Sequence, residues 1–253
     1  MDLNPTGRFS SRVEDYIRYR PSYPPEMVEM LERECGLKAE SKVADIGSGT
    51  GILSKLLLEA GCEVWGVEPN AEMREAGERQ LAGEARFHSV DGRAEATGLG
   101  DGSVDFVTAA QSFHWFDIPA AKLEFRRILR PGGWVMLAWN ERMTEGKFLG
   151  AYEALLKEYG PDYAKVDHRR MDESVMDSFF GAGKWRMETF FNQQWLDLAG
   201  VLGRLDSSSY APPPGSEARK RMGEELKALF NEYNRDGRTP FRYETKAYVG
   251  KLD

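Results

Sequence analysis

Cysteine, histidine and long apolar runs are all in short supply in this chain. Cys35 and Cys62 are the two cysteines, too few for a disulfide framework or, alone, for a zinc site, and the expected setting is a reducing cytoplasm. The three histidines, His88, His114 and His168, are scattered, and with no cluster of ligands at metal spacing no metal is expected. No stretch reaches the roughly 18–20 apolar residues of a membrane span. Residues Met1–Phe9 lack the apolar core of a secretory leader. An excess of positive charge is missing as well: 34 Lys+Arg against 41 Asp+Glu leave a net charge of −7, which argues against a nucleic-acid face. Hydrophobic residues nevertheless make up 41% of the 253, enough for a real core and too many for wholesale disorder. What remains is an acidic globular protein without internal repeats.

Its first part alternates short apolar runs with amphipathic ones, the pattern of βαβ units on a parallel sheet. Strands are expected at Lys42–Ile46, Cys62–Val67, Ala85–Val90, Val104–Ala109 and Trp134–Trp139, the last preceded by a turn at Arg130-Pro-Gly-Gly133. Helices are expected at Gly51–Ala60, Ala71–Leu81 and Pro119–Leu129, with two more upstream at Ser11–Tyr19 and Pro24–Cys35. Downstream the rhythm changes. Helices are expected at Lys147–Tyr159, Asp172–Phe180, Asp197–Leu205 and Glu217–Arg235, and strands at Arg186–Trp195 and Thr239–Val249. No linker divides the chain, so one domain is expected, with residues 1–35 as N-terminal cover, 36–140 as cofactor-binding core, 141–185 and 197–236 as a helical cap, and 186–195 and 239–249 as closing strands.

The most informative segment is Val43-Ala-Asp-Ile-Gly-Ser-Gly-Thr-Gly51. Between a strand and a helix, a glycine-rich turn lets the backbone approach a ligand closely, and the helix start offers unpaired N–H groups. A dinucleotide turn wants G-x-G-x-x-G, but Ile52 stands where the third glycine belongs, and there is no Gly-Lys-Ser/Thr of a P-loop. Asp45 is awkward beside a pyrophosphate and suits a cationic amine. These features favour a zwitterionic cofactor without phosphate.

Asp45-Ile-Gly-Ser-Gly-Thr-Gly51 resembles the first motif of class I S-adenosylmethionine-dependent methyltransferases. The likeness continues through Val67-Glu-Pro-Asn70, where Glu68 lies seventeen residues past Gly51, then Asp91-Gly-Arg-Ala-Glu95, Leu99–Asp105, Ala110–Asp117 and Arg130–Gly133. The resemblance implies a Rossmann-like, doubly wound α/β fold: a mostly parallel seven-stranded sheet with an antiparallel last strand, plus a helical cap. It implies S-adenosyl-L-methionine as cofactor, with Asp45, Gly47, Ser48, Gly49 and Gly51 at its amino-acid end. Glu68, Pro69 and Asn70 fall at the ribose, Met73, Arg93 and Ala94 at the adenine, and Gln111 and Trp115 near the sulfonium, where a ring face attracts a cation. Asp91 and Glu95 read equally well as solvated turn residues.

Tyr16-Ile-Arg-Tyr-Arg-Pro-Ser-Tyr-Pro24 together with Gln111-Ser-Phe-His-Trp-Phe116 resembles a narrower branch of small-molecule enzymes like trans-aconitate methyltransferase. By that resemblance Tyr19 and Arg20 reach the cofactor's methionine end, Arg20 pairing with its carboxylate. His114 follows the fourth strand, where open α/β sheets place their sites, and is the candidate base; His88 reads as structural and His168 as a surface residue. Arg142 is a candidate for an anionic acceptor, and Trp139 and Tyr210 for its planar or apolar part. The expected reaction is in-line methyl transfer to a small molecule, with a carboxylate as one candidate acceptor and neither nucleic acid nor membrane as partner. The competing expectations are a nicotinamide-dinucleotide oxidoreductase, disfavoured by Ile52 and Asp45, and a binding module without turnover. The acceptor and the oligomeric state are not legible.

Overall fold

The computed structural model describes residues 13–160, 163, 172–208 and 210–252. Chain order gives α1 (Val13–Tyr19), α2 (Pro25–Met30) running into a π turn (Leu31–Cys35), β1 (Lys42–Ile46), α3 (Ile52–Glu59), β2 (Glu63–Val67), α4 (Ala71–Gln80), β3 (Phe87–Val90) and β4 (Val104–Ala110). A 3₁₀ turn (Phe113–Trp115) precedes α5 (Ile118–Ile128) and β5 (Leu129–Arg142). Then come α6 (Lys147–Tyr159), α7 (Glu173–Phe180), β6 (Trp185–Leu196), α8 (Leu198–Asp206), α9 (Glu217–Tyr233) and β7 (Thr239–Gly250).

The strands form one seven-stranded sheet in the order β3-β2-β1-β4-β5-β7-β6. The first five run parallel, and β7 lies antiparallel to both β5 and β6. This is the Rossmann-like methyltransferase topology, with its antiparallel strand inserted beside β5. The central strands read as near-continuous apolar runs because both faces are covered. Val43, Leu57, Met27, Leu31 and Met136 pack on one face; Ile46, Val107, Phe125, Leu137 and Phe179 pack on the other. Asp117 caps α5 and Asn70 caps α4 by accepting the backbone N–H groups of Ala120 and Met73.

Two elements differ from expectation. The helix after Pro24 widens into a π turn before Gly36, whose φ of 76° ends it. Strand β5 starts at Leu129, five residues before the expected Trp134, so the expected turn Arg130–Gly133 lies within it where its register with β4 shifts, and it also runs three residues past Trp139. Beyond the last β4 pair, Ala110↔Ala138, the segment Trp139–Arg142 pairs with Tyr243–Lys246 of β7. The partner strand supplies the ladder, so the polar Asn140, Glu141 and Arg142 stay extended despite low strand propensity. Thr239–Arg242 of β7 in turn pairs with Gln193–Leu196 of β6. The three strands thus rise past the carboxyl edge of the sheet as a platform. On it α6, α8 and α9 bury Tyr152, Leu156, Val201, Leu205, Met222 and Leu226 against Phe241 and Tyr243. No described helix is long and apolar enough to cross a membrane.

Candidate active site

The carboxyl ends of β1, β2, β4 and β5 converge on one edge of the sheet, where open α/β folds bind ligands. After β1 the chain turns through Gly47, Gly49 and Gly51 with φ of 68°, 58° and 82°, angles at which an L side chain is strained. Space is limiting too: a Cβ on Gly47 would stand 2.5 Å from Cβ of Ser112, and one on Gly51 would stand 2.8 Å from Leu81. The N–H groups of Gly47 and Ser48 donate to the Val67 carbonyl, tying the turn to the end of β2.

Glu68 follows β2 and is buried. Its carboxylate accepts the N–H of Gly49 at 3.0 Å and of Asn70 at 2.9 Å, so one side chain joins the glycine turn to the start of α4. Burial raises its pKa, and those two N–H bonds oppose the rise. Each oxygen keeps further acceptor capacity. Pro69 is exposed, and the Asn70 side chain serves as the cap of α4. Met73 lies 3.3 Å from where a Gly49 Cβ would be and packs with Val13, Tyr16 and Ile17 of α1.

Asp45 is 1% exposed. Its two oxygens accept hydroxyl hydrogens from Ser54 at 2.7 Å and Thr108 at 3.0 Å. Burial dominates over those bonds and lifts its pKa to about 6. It therefore faces the inner wall of the turn. Any attraction for an amine acts through its charge and through the remaining lone pairs, not through an open contact. In the adenine loop, Ala94 is a core residue, whereas the Arg93 side chain is 74% exposed and paired loosely with Glu95. Asp91 pairs with Arg74 at 3.4 Å.

Gln111 leaves β4 with a φ of 57°, and its side-chain amide donates to the Asn140 carbonyl at 3.1 Å. His114 and Trp115 sit on the 3₁₀ turn with ring centroids 4.8 Å apart. Trp139 is 2% exposed and packs edge-on to Phe113 and Tyr248, a core placement. Its indole N–H donates to Nδ1 of His114 at 3.4 Å. A neutral His114 with Nδ1 accepting carries its proton on Nε2. His88 pairs with Glu63 at 2.8 Å and stacks on Trp65, a structural placement; His168 lies outside the described residues, as does residue 209 of the Ser207–Tyr210 segment.

Tyr19 packs so closely on α8 that a Cβ on Gly203 would meet its ring at 2.0 Å. Arg20 donates to the Ser207 carbonyl at 2.7 Å and lies over the Tyr16 ring. Arg142 donates to Glu153 at 2.6 Å, and Tyr210 packs edge-on to Tyr163. The structure thus separates the predicted residues into a cofactor-side group and a cap-side group. It also adds residues that sequence reasoning passed over: Arg204, Tyr152 and Glu153. Arg204 carried a legible signal, being an arginine on the apolar stripe of Val201 and Leu205. Among the described residues no group of three or more His, Cys, Asp or Glu is arranged to hold a metal.

Comparison with known proteins bears on this arrangement. The profile of a methyltransferase domain family matches residues 44–137. An uncharacterized methyltransferase of Mycobacterium tuberculosis (strain ATCC 25618 / H37Rv) is 42% identical over 134 residues, 53% of this chain and 52% of that protein. The matched stretch therefore spans about half the length of that curated relative. An uncharacterized methyltransferase-like protein of Schizosaccharomyces pombe is 31% identical over 222 residues, 86% of this chain and 84% of the relative. A solved structure from Anaeromyxobacter dehalogenans, provisionally described as a type II methyltransferase, superposes with a TM-score of 0.68 over 92% of this chain and 98% of its own at 23% identity. That last likeness speaks for the fold.

Proposed function

The chain belongs to the class I S-adenosylmethionine-dependent methyltransferases, and we propose that it transfers a methyl group from S-adenosyl-L-methionine to a small-molecule acceptor. The observation that carries the cofactor assignment is Glu68: a buried carboxylate with spare acceptor capacity at the end of β2, bridging the glycine turn and α4. That is the position and chemistry suited to a ribose diol. The cradle fits the group in a second way, since side chains on Gly47 or Gly51 would clash with neighbouring atoms, and the turn offers backbone where a bulky cofactor must come close.

The bound cofactor supplies a methyl already activated on a sulfonium, so the protein's share is alignment and exclusion of water. In this reading Glu68 fixes the ribose, the turn Gly47–Gly51 and the Asp45 charge hold the amino-acid end, and Met73 covers the adenine. Trp115 offers a ring face to the positive centre. His114 donates a hydrogen bond through Nε2 and orients the acceptor; a carboxylate acceptor needs no base at neutral pH. The finer assignment to a branch like trans-aconitate methyltransferase draws support from Tyr16–Pro24, which runs beneath α8, and from Gln111–Phe116, which lies beside Asn140. A cytoplasmic setting is consistent with two free, buried cysteines.

Calorimetric titration with S-adenosylhomocysteine tests the cofactor. Micromolar binding is expected. Failure of this ligand to bind, with a nicotinamide dinucleotide binding instead, would overturn the assignment. Release of S-adenosylhomocysteine in a screen of small acids, amines and phenols then identifies the acceptor.

A further inference from the structure

Three guanidinium groups from distant parts of the chain gather around Tyr210, and the described residues offer too little negative charge to match them. Arg142 ends β5, Arg204 lies on α8, and Arg20 follows α1. Arg204 is 6% exposed, yet its hydrogen-bond partners among the described residues are neutral hydroxyls: Tyr243 at 3.2 Å, Ser208 at 2.9 Å and Ser207 at 3.5 Å. Arg20 donates to the Ser207 carbonyl, while its buried Nε has no acceptor among the described residues. Arg142 donates through Nη2 to Glu153 and to the Tyr163 hydroxyl and lies over the Tyr152 ring at 4.8 Å, while its buried Nη1 has no acceptor among the described residues. The Tyr152 hydroxyl, also buried, has no partner either. Among the described residues Glu153 is the one carboxylate bonded to the trio, and Lys157 shares it at 3.3 Å.

Buried cations without counter-charge are strongly unfavourable. Unused guanidinium hydrogens beside an unused hydroxyl form a donor set that lacks an acceptor. Burial alone would raise the Tyr210 phenol, but Arg204, Arg142 and Arg20 outweigh it and bring its pKa below the usual value, as a positive local field requires. The position fits the site as well. Arg142 lies two residues beyond Asn140 on the same face of β5, about 6–7 Å along the strand, and the Asn140 carbonyl holds Gln111 of the segment that carries His114.

We propose that Arg142, Arg204 and Arg20, with the Tyr152 hydroxyl, bind a carboxylate of the methyl acceptor and hold it as a handle. This rests on the methyl-transfer reading above. A carboxylate clamped by guanidiniums has its lone pairs occupied, so the methylated atom lies elsewhere on the same small molecule, toward His114. The other source of the same chemistry is the cofactor's own carboxylate.

The test uses the full chain and two probes, succinate and its neutral diamide, titrated with and without S-adenosylhomocysteine. Succinate is expected to bind at millimolar concentration or tighter, and succinamide at least tenfold more weakly. Arg204→Met and Arg142→Met are expected to lose succinate at least tenfold while S-adenosylhomocysteine affinity stays within twofold. Tyr152→Phe keeps the ring and removes an unpartnered hydroxyl, so it should fold normally and weaken succinate severalfold. Equal binding of the two probes, or succinate binding indifferent to all three variants, overturns the proposal. Loss of S-adenosylhomocysteine with the arginines also overturns it and assigns the cluster to the cofactor. Succinate binding that depends on the arginines in a protein that never binds S-adenosylhomocysteine sustains the anion site and sinks the methyl-transfer reading instead.

Discussion

On the cofactor side of the site, the charges are carboxylates whose hydrogen bonds are made nearby. Glu68 accepts from Gly49 and Asn70, and Asp45 from Ser54 and Thr108. On the cap side the charges are guanidiniums brought together from Arg20, Arg142 and Arg204, and buried donors are left over. The first group shapes a backbone turn that is complete before any ligand arrives. The second has one carboxylate, Glu153, for three guanidiniums among the described residues, and donors left over. A pocket can therefore be prepared in two ways. Local geometry can be satisfied in advance and ask of a ligand only that it fit, or long-range side chains can be assembled with their needs unmet and select by charge.

Substitutions on the cofactor side probe how far backbone dominates there. Gly47→Ala puts a side chain at φ 68° and 2.5 Å from Ser112. A loss of about 3 kcal/mol in unfolding free energy is expected by denaturant titration, the largest effect on that side. Asp45 comes next. Its folded pKa of about 6 lies above the unfolded value, so its stabilising share is complete below the unfolded pKa and disappears as pH rises through 6. Asp45→Asn stays uncharged, and its advantage over the wild type should grow by about 2–3 kcal/mol from pH 4 to pH 7. A constant gap would show that Asp45 ionises without penalty. A cationic ligand nearby favours the ionised form, so cofactor affinity in the wild type should fall as pH drops below 6.

Glu68→Ala should weaken S-adenosylhomocysteine by about 1–3 kcal/mol; unchanged calorimetric affinity would remove Glu68 from the cofactor site. The smallest effect is expected at the junction of the two sides. Because Nδ1 of His114 is engaged by Trp139, His114→Asn should lower the rate less than about tenfold, a donor hydrogen bond being lost without a base. The pH–rate profile should keep its shape, and a vanished acidic limb would restore His114 as the base.

The cofactor side was legible because its determinants are local. Apolar runs bounded by turn residues mark β1, β2 and β4 within a residue or two. The spacing of Asp45, the three glycines and Glu68 is a property of one βαβ unit. The cap side was legible only in pieces. Arg20, Arg142 and Tyr210 could be singled out as polar residues near the site, but nothing local brings them to Arg204. For Trp139 core and ligand were both open, because an aromatic at a strand end looks alike whichever it faces, and its burial is decided by Phe113, Tyr248 and the 3₁₀ turn. The extra residues of β5 were hidden because β7, a hundred residues downstream, supplies their hydrogen bonds.

That extension of β5 also acts as a gauge. A strand advances about 3.3 Å per residue and turns its side chains alternately, so the spacing between the Gln111 anchor at Asn140 and the guanidinium at Arg142 is quantised. Changing it by backbone means moving by two residues or flipping the side chain to the other face of the sheet. A loop in the same place could stretch by any amount. On the proposed reading of the arginine cluster, preference for longer or shorter acceptors is tuned by trading side-chain lengths at fixed rungs, and not by lengthening or shortening the chain between them.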